Sequence, residues 1–336
     1  MKKIIQAACF LALFLSCRKS DFQGPYEETR FLMDTAVRIA VYDDALSREE
    51  AASAVHRAFS RMSRLESMVS AQVETSEIAR LSKLSGGEAY AVSDTTSAIL
   101  RQALGISDQS GGAFDITIGP LEELWGFYTD HPRKPDSLEV TGAMGKVGYR
   151  MMQIDGNRVR LAKHGMKIDL GGIAKGYIVD AAVQSLKESG VRAGIVDGGG
   201  DLRIFGSHPV NRQWRIGVRH PRPEANSLFG VLRLDSCAIA TSGDYERFFM
   251  DGGRRYHHIL DPKTGYPASG CVSVTILADR AMLADAYATT VFVLGPDQGM
   301  ELLKSRPGLE GLILFEKEGR IGTRISDGLR KAFSVP

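Results

Sequence analysis

The sequence of 336 residues predicts an α+β fold, built as one compact domain. Apolar stretches of strand length come in runs that single amphipathic helices interrupt, whereas a parallel α/β fold would alternate the two regularly. No internal repeat is evident, and no Pro- or Ser-rich linker divides the body of the chain. Hydrophobic residues make up 43% of the sequence, enough to bury a large core. We therefore predict a single domain over residues 30–336, of one or two lobes.

The first long helix carries the clearest helical signals. A strand over 36–42 precedes it, and Ser47 and Glu50 form a capping box at its predicted start. Apolar residues then recur at helical spacing over 48–68: Ala51, Val55, Phe59, Met62 and Leu65. Further helices are predicted from Ser76 to Gly86-Gly87, over 95–104, over 173–188, and over 282–294 with an end at Gly295.

The remaining apolar runs predict strands. Three hairpins are expected because turn residues separate paired runs, over 151–161, 248–260 and 311–325. Short strands are expected near 193–197, 201–205, 214–218, 230–235 and 272–277. The segment from Ala240 to Tyr245 is richer in polar and turn residues than a core strand needs, so we interpret it as part of a site.

The N-terminus resembles a secretory signal. Residues 1–16 combine Lys2 and Lys3 with an apolar stretch too short to span a bilayer as a mature helix. The stretch ends at Cys17, as in a bacterial lipobox, so we expect acylation of Cys17 and attachment to the membrane by that lipid. Residues 17–29 would form the lipidated N-terminus and a tether. The alternative is an ordinary signal peptide followed by a fortuitous cysteine.

Charge and cysteine content exclude several classes of protein. The chain has 42 basic and 40 acidic residues, and removal of Lys2 and Lys3 with the leader makes it neutral. A nucleic-acid binder needs a basic footprint, so nucleic acid is not an expected partner. Only Cys237 and Cys271 remain in the folded body, which excludes a disulfide scaffold. The sequence leaves open whether these two cysteines pair.

Two short motifs could carry chemistry. The run GGIAKG at 171–176 precedes a helix, where close backbone approach serves either an anion or tight packing. It has neither the P-loop nor the Rossmann spacing. Asp285 and Thr289 are one helical turn apart, so their hard oxygen atoms share one face and suit Mg²⁺, although such pairs are often only surface or capping residues.

Two further features leave alternatives open. Asp169 precedes the glycine-rich run at the end of a strand, where it could bind a ligand or cap the following turn. His257 and His258 are adjacent on a predicted strand and so face opposite ways, which allows at most one of them into a given site. No zinc-protease, serine-hydrolase or CxxC motif is present.

Taken together, the motifs resemble the ApbE family of flavin transferases, which cleave FAD and join FMN to a Thr or Ser of a protein. The matching segments are collinear over almost the whole mature chain. They are MDT at 33–35, SEI at 76–78, GAFDITIGPL at 112–121, LWGF at 124–127, DLGGIAKGY at 169–177, GGGD at 198–201, TSGDY at 241–245, HILDP and TG at 258–265, and DAYATT at 285–290.

The resemblance implies an α+β domain with FAD in a central cleft. It implies FAD contacts at Met33, Ala113, Phe114, Asp115, Asp169, Lys175 and Ile259. It implies Mg²⁺ ligands at Asp285, Thr289 and the carbonyl of Gly172. His258 matches the family's histidine and is our candidate general base for the acceptor hydroxyl, since an unperturbed imidazole titrates near neutral pH. Asp285 would contribute to catalysis through the metal.

The implied activity is Mg²⁺-dependent transfer of FMN from FAD to a protein Thr or Ser, with release of AMP. The acceptor would belong to a membrane redox complex, and the enzyme would sit on the periplasmic face of a bacterial inner membrane. One position departs from the family pattern: Gln72 stands where the family usually carries a Tyr. An FAD pyrophosphatase releasing AMP and FMN, a non-catalytic flavin-binding lipoprotein and a thiamine-linked role stay open as alternatives.

Overall fold

The computed structural model describes residues 24–210, 213–222 and 228–335. Its helices are α1 (Arg48–Val69), α2 (Glu77–Lys83), α3 (Asp94–Gln109), α4 (Gly119–Trp125), α5 (Ser137–Met144), α6 (Ala174–Glu188), α7 (Ala281–Lys304) and α8 (Asp327–Arg330). Its strands are β1 (Tyr26–Leu32), β2 (Thr35–Val41), β3 (Tyr90–Ala91), β4 (Met152–Asp155), β5 (Arg158–Leu161), β6 (Gly194–Gly198), β7 (Leu202–Phe205), β8 (Trp214–Arg219), β9 (Leu228–Leu234), β10 (Ala238–Gly243), β11 (Phe248–Asp251), β12 (Arg254–His257), β13 (Ser273–Ala278), β14 (Glu310–Lys317), β15 (Arg320–Ile325) and β16 (Phe333–Ser334).

An eight-stranded antiparallel sheet organises the fold, in the order β1-β2-β6-β7-β10-β13-β14-β15. Both of its faces are covered. Helices α1, α6 and α7 pack with the larger core on one face, and the small sheet β16-β9-β8 packs on the other. Strand β6 shows the alternation, since Val196 joins the first core and Ile195 the second. The α+β prediction is confirmed.

The predicted capping box opens α1. The Ser47 hydroxyl accepts from the backbone N–H of Glu50, and the Glu50 carboxylate accepts from the backbone N–H of Ser47 at 2.8 Å. The five apolar residues predicted on its inner face are all buried: Ala51, Val55, Phe59, Met62 and Leu65. The helix packs against α6, and its C-terminal end leads into the loop over 70–76 that borders the cavity described below.

Two differences from the predicted boundaries concern the longest helix and the edge of the main sheet. The helix predicted to end at Gly295 breaks there, with φ at 81°, but resumes after Pro296 and continues to Lys304. Strand β1 begins at Tyr26, so the last part of the predicted tether 17–29 belongs to the main sheet. Its side chains alternate between exposed and half-buried, which left little hydrophobic signal. The predicted signal peptide 1–16 and Cys17 lie outside the described residues.

Strand β10 was not predicted, although it lies inside the main sheet. It pairs with β7 and β13, and its sequence AIATSG combines small and polar residues. Thr241 and Ser242 are only half-buried because they border a cavity. The segment therefore lacks the apolar pattern by which a core strand is predicted. Helices α4 and α5 also went unpredicted.

Cys237 and Cys271 are both free thiols. Cys271 lies in the first core and Cys237 packs against the second, on the other face of the main sheet. Burial raises the pKa of Cys271 to about 12 and that of Cys237 to about 11. In the ranges that the structure describes, no helix is both long and apolar enough to cross a bilayer.

Candidate active site

One cavity of about 520 Å³ brings together every site residue that the sequence predicted. It lies where the β1–β2 turn, the α1–α2 loop, the N-terminus of α6 and the first half of α7 meet. Its lining includes Met33, Gln72, Ala113, Phe114, Asp115, Asp169, Gly172, Lys175, His258, Ile259, Asp285 and Thr289. The roles assigned to these residues stay predictions, but their convergence from distant parts of the chain does not depend on those roles.

The β1–β2 turn places Met33 at the cavity through a constrained backbone. Met33 and Asp34 both have left-handed φ angles, 53° and 57°, which residues other than glycine seldom adopt. The backbone N–H of Met33 donates to Glu66 Oε1 at 2.8 Å and fixes the turn against α1. Such strain is typical of functional sites, where the surrounding contacts hold it.

Asp115 organises the loop that precedes α4. Its Oδ1 accepts from the backbone N–H and the hydroxyl of Thr117, and its Oδ2 accepts from the backbone N–H of Tyr149 at 2.8 Å. Burial raises the pKa of Asp115, against the effect of these hydrogen bonds. Both carboxylate oxygens thus already serve the loop that carries Ala113 and Phe114 to the cavity.

The glycine-rich turn before α6 is shaped by packing. A Cβ on Gly172 would lie 3.1 Å from Thr289 Oγ1 and 3.2 Å from the Phe114 ring, and one on Gly176 would lie 2.2 Å from the carbonyl oxygen of Ala281. The glycines therefore let α6 approach α7 closely. Asp169 Oδ1 accepts from the backbone N–H of Gly171 at 2.6 Å, so this residue does cap the turn while it also lines the cavity.

Lys175, Asp201 and Asp285 form a cluster in which both carboxyl groups are buried and the Lys175 side chain is 34% exposed. The ammonium of Lys175 pairs with Asp201 and lies 4.0 Å from Asp285 Oδ1, while Asp285 Oδ2 accepts from the backbone N–H of Gly176 at 3.0 Å. Burial and the neighbouring Asp201 raise the pKa of Asp285 to about 7, although Lys175 opposes this. Burial disfavours the Lys175 ammonium, but the two carboxylates outweigh it and raise its pKa.

The predicted metal ligands lie close together. Asp285 and Thr289 are one turn apart on α7, and the backbone at Gly172 lies against Thr289. A carboxylate, a hydroxyl and a carbonyl are hard oxygen donors, which fit Mg²⁺ with water and phosphate completing its shell. Within the described ranges, no cluster of three or more His, Cys, Asp or Glu side chains forms a metal site. The proposed set contains only one such side chain.

The two histidines separate as predicted. His257 is buried, its Nε2 lies 3.0 Å from the carbonyl oxygen of Ala268, and its ring meets Phe292 edge-on. His258 lines the cavity, and its Nδ1 lies 3.3 Å from the carbonyl oxygen of Arg247. Because a carbonyl only accepts, Nδ1 carries the proton and Nε2 keeps its lone pair.

The expectation that His258 titrates near neutral pH is wrong. Burial lowers the pKa of His258 to about 3, and the nearby His257, Arg247 and Lys175 add to this effect. The imidazole is therefore uncharged throughout the physiological range. It can still accept a proton from a reacting hydroxyl, and a bound anion would make it a stronger base.

Sequence reasoning missed one group of cavity residues, which we call the α4 group: Glu122, Tyr128 and Arg247. The guanidinium of Arg247 lies over the Tyr128 ring at 4.6 Å, and its Nη2 is 3.7 Å from Asp34 Oδ2. Tyr128 is 36% exposed, but the crowded surroundings of its hydroxyl, with Glu122 and Asp169 adding to their effect, raise its pKa well above its usual range. Helical spacing puts Glu122 on the same face as the apolar residues Ile118, Leu121 and Trp125 and puts Glu123 outside, so Glu122 was missed because α4 was not predicted.

Comparison with known proteins places this geometry in a family. The ApbE family model matches residues 33–313. An FAD:protein FMN transferase of Treponema pallidum is 33% identical over 96% of this chain and 93% of its own length. An ApbE protein of Thermotoga maritima, whose crystal structure is known, is 36% identical with a TM-score of 0.84 over 92% of this chain and 99% of its own. The Vibrio cholerae flavin transferase ApbE is 28% identical with a TM-score of 0.80.

The mixed sheet-and-helix fold is thus that of the flavin transferases in these comparisons. The chain belongs to the ApbE family.

Proposed function

We propose that this protein transfers FMN from FAD to a Thr or Ser hydroxyl of an acceptor protein and releases AMP. The convergence of every predicted FAD, metal and base residue on one cavity carries this proposal. In the reaction, the acceptor oxygen forms a bond to the phosphorus of the FMN half. The bond from that phosphorus to the bridging oxygen breaks, and AMP departs with the electron pair.

His258 is the proposed acceptor of the hydroxyl proton. Its Nδ1–H is held by the carbonyl of Arg247, so Nε2 is the nitrogen with a free lone pair. Proton removal by a positioned base typically contributes about 10²–10⁴-fold to the rate. The neighbouring His257 cannot share the role, because it is buried and does not line the cavity.

The charge balance of the cavity supports dependence on a divalent cation. Among the described lining residues, the basic side chains other than histidine are Lys175 and Arg247. The acidic ones are Asp34, Glu66, Asp115, Glu122, Asp169, Asp201, Glu246 and Asp285. A pyrophosphate would meet more negative than positive charge there. Mg²⁺ held by Asp285, Thr289 and the Gly172 carbonyl would neutralise phosphate charge.

Intact-mass analysis tests the proposal. The protein is incubated with FAD, MgCl₂ and candidate acceptor domains, and each acceptor is measured before and after. We expect an acceptor mass increased by one FMN through a phosphoester, with equimolar AMP. Release of AMP and free FMN without a mass change would identify a pyrophosphatase, and retention of uncleaved FAD with Mg²⁺ present would identify a flavin-binding protein.

Hydrolysis of FAD is the second candidate, and one observation favours it. Gln72 lies at the cavity and its side chain is exposed. An aromatic ring at this position could cover the pyrophosphate, whereas a glutamine leaves it more open to water. Water competes with the acceptor hydroxyl wherever it reaches the same phosphorus.

We further propose that a lipid on Cys17 holds the enzyme at the periplasmic face of the inner membrane. The support is the basic and apolar leader that ends at this cysteine. Cys17→Ser should release the protein from membranes or leave the precursor uncleaved. Labelling of cells with a traceable fatty acid checks this, and an unlabelled wild-type protein would reduce the proposal to secretion alone.

A further inference from the structure

Glu122 and Glu123 are adjacent on α4 but have different surroundings. Glu123 is exposed and pairs with Lys167. Glu122 turns inward and lines the cavity. One short helix therefore offers two matched carboxylic acids, one at the candidate active site and one in solvent.

The inward carboxyl group is incompletely satisfied. Glu122 Oε2 is buried and has no hydrogen-bond partner in the part of the chain that the structure describes. The nearby Arg247 instead stacks on Tyr128 and reaches Asp34. A buried polar atom without a partner costs about 1–3 kcal/mol, so natural proteins retain few of them without a reason. Glu122 lines the cavity, so a small rotation of its side chain would bring this atom to a bound ligand, which can supply the missing partner.

The surroundings favour the protonated form of this group. Burial and the Asp169 carboxylate raise the pKa of Glu122 well above its usual range, while Arg247 opposes them. An uncharged carboxylic acid presents one O–H donor and one carbonyl acceptor side by side. Its natural partner is a ligand edge that also pairs a donor with an acceptor.

The wall around Glu122 favours a flat ring over a phosphate. Ile118 and Leu260 also line the cavity and pack with Trp125 in a separate apolar cluster. An apolar wall with a few fixed polar groups is typical of sites for heteroaromatic ligands. The adjacent Asp169 carboxylate would repel an anion. Both rings of FAD have a suitable edge: adenine offers N1 and the N6 amino group, and isoalloxazine offers the C4 carbonyl and N3–H.

We propose that the side chain of Glu122 binds the polar edge of one of the two ring systems of FAD, with one hydrogen bond donated and one accepted. This inference rests on the proposed function, because it takes FAD as the bound dinucleotide. It makes Glu122 a binding residue for the substrate, beyond the residues that the family resemblance implies.

Direct binding measurements test the inference. FAD is titrated by isothermal calorimetry, without acceptor, into wild type, Glu122→Leu, Glu122→Gln and the control Glu123→Leu. We expect Glu122→Leu to weaken FAD binding about tenfold or more, because the ring edge loses its partner. Glu122→Gln keeps a donor and an acceptor and should stay within about threefold of wild type, as should Glu123→Leu.

Thermal unfolding of the ligand-free proteins separates this role from a structural one. Glu122→Leu should unfold at the wild-type temperature or above, because it removes an unsatisfied buried polar atom. Titrations with FMN and with AMP then identify the ring. Weaker FMN binding assigns isoalloxazine, and weaker AMP binding assigns adenine.

Two results would overturn the inference: FAD binding by Glu122→Leu as tight as wild type, or an equal loss in Glu122→Leu and Glu122→Gln. Each leaves the proposed function intact if the wild-type protein still transfers FMN. A wild-type protein that binds no FAD would instead overturn the proposed function.

Discussion

The cavity holds two sets of charged residues that differ in how their carboxyl groups are satisfied. At α6 and α7, Asp201 pairs with Lys175, and Asp285 accepts a hydrogen bond from the Gly176 backbone. In the α4 group, Glu122 Oε2 has no partner among the described residues. Arg247, the cation that acts to lower the pKa of Glu122, is engaged with Tyr128 and Asp34.

This difference suggests a division of labour along the substrate. Paired charges held by backbone contacts suit a phosphate and its metal ion, because little rearrangement is needed when charge develops. An unpaired carboxyl group whose surroundings favour its protonated form suits the neutral edge of a ring. Both sets affect His258, because Lys175 of the α6–α7 set and Arg247 of the α4 group each lower its pKa. The predictions below test whether the two sets act separately.

The largest expected effect is at His258, which lies between the two sets. His258→Asn should slow FMN transfer by about 10²–10⁴-fold, because the hydroxyl loses its proton acceptor. FAD affinity should change little, since the base acts on the acceptor. Initial rates of acceptor labelling and calorimetric FAD titration measure the two quantities. The exposed His131, replaced in the same way, serves as control. A His258→Asn rate near that of the control would remove the base assignment.

The buried, uncharged state of His258 also predicts a pH effect on stability. The pKa is about 3 in the folded protein and about 6.5 in the unfolded chain, so between these values the unfolded state binds more protons. Folding free energy should therefore be lost as pH falls through this range. The His258→Asn variant should lose less stability between pH 7 and 4.5, by about 2.5 kcal/mol in urea unfolding. Equal losses in both proteins would contradict the buried neutral state.

The next effect tests the α6–α7 set alone. Asp285→Asn keeps the side-chain shape but removes the negative charge that would hold the metal. The metal in turn would neutralise the negative charge that develops on the phosphate. Turnover should fall by about 10²–10³-fold, far more than FAD affinity. Asp297→Asn is a matched control, since Asp297 is on the same helix but largely exposed. Near wild-type turnover by Asp285→Asn at limiting Mg²⁺ would show that the metal assignment is wrong.

The sequence predicted more of the site than of the fold that surrounds it. Motif residues such as Gly172, Asp285 and Thr289 are collinear signals, and the cavity gathers all of them. Strand β10 was missed because its polar side chains face the cavity, so a central strand lacks the usual apolar pattern. A capping box and an apolar periodicity are both visible within a short stretch of sequence, and for this reason α1 was predicted nearly to its ends.

Tertiary environment was the part that local patterns could not supply. The pKa of His258 depends on burial and on cations from two distant segments, Lys175 and Arg247. Glu122 is a different case, because helical spacing puts it on the inner face with Ile118, Leu121 and Trp125, and it was missed only because α4 was not predicted. The pKa of His258 arises from contacts between residues far apart in the chain, where no spacing rule applies.

The smallest expected effect concerns Gln72, in the loop over 70–76 that borders the cavity. An aromatic ring in this loop could shield both charged sets from water. Gln72 follows Ser70, whose hydroxyl accepts from the Gln72 backbone N–H at 3.2 Å, and its side chain is exposed. In Gln72→Tyr, a ring at this position could stack on a flat ring of FAD. Stacking on a base contributes about 1–3 kcal/mol in nucleic-acid complexes, so FAD affinity should rise about fivefold.

The same ring should exclude water, so release of AMP and free FMN without acceptor should fall severalfold in Gln72→Tyr. Glu74→Tyr is the matched control, because it adds an identical ring to the same loop at a residue outside the cavity lining. Chromatography of AMP and FMN after incubation with FAD and MgCl₂ gives the rates. Equal and negligible release from wild type and Gln72→Tyr would show that Gln72 does not promote hydrolysis of FAD. Transfer would then be the sole activity, and the two charged sets would need no cover from this loop.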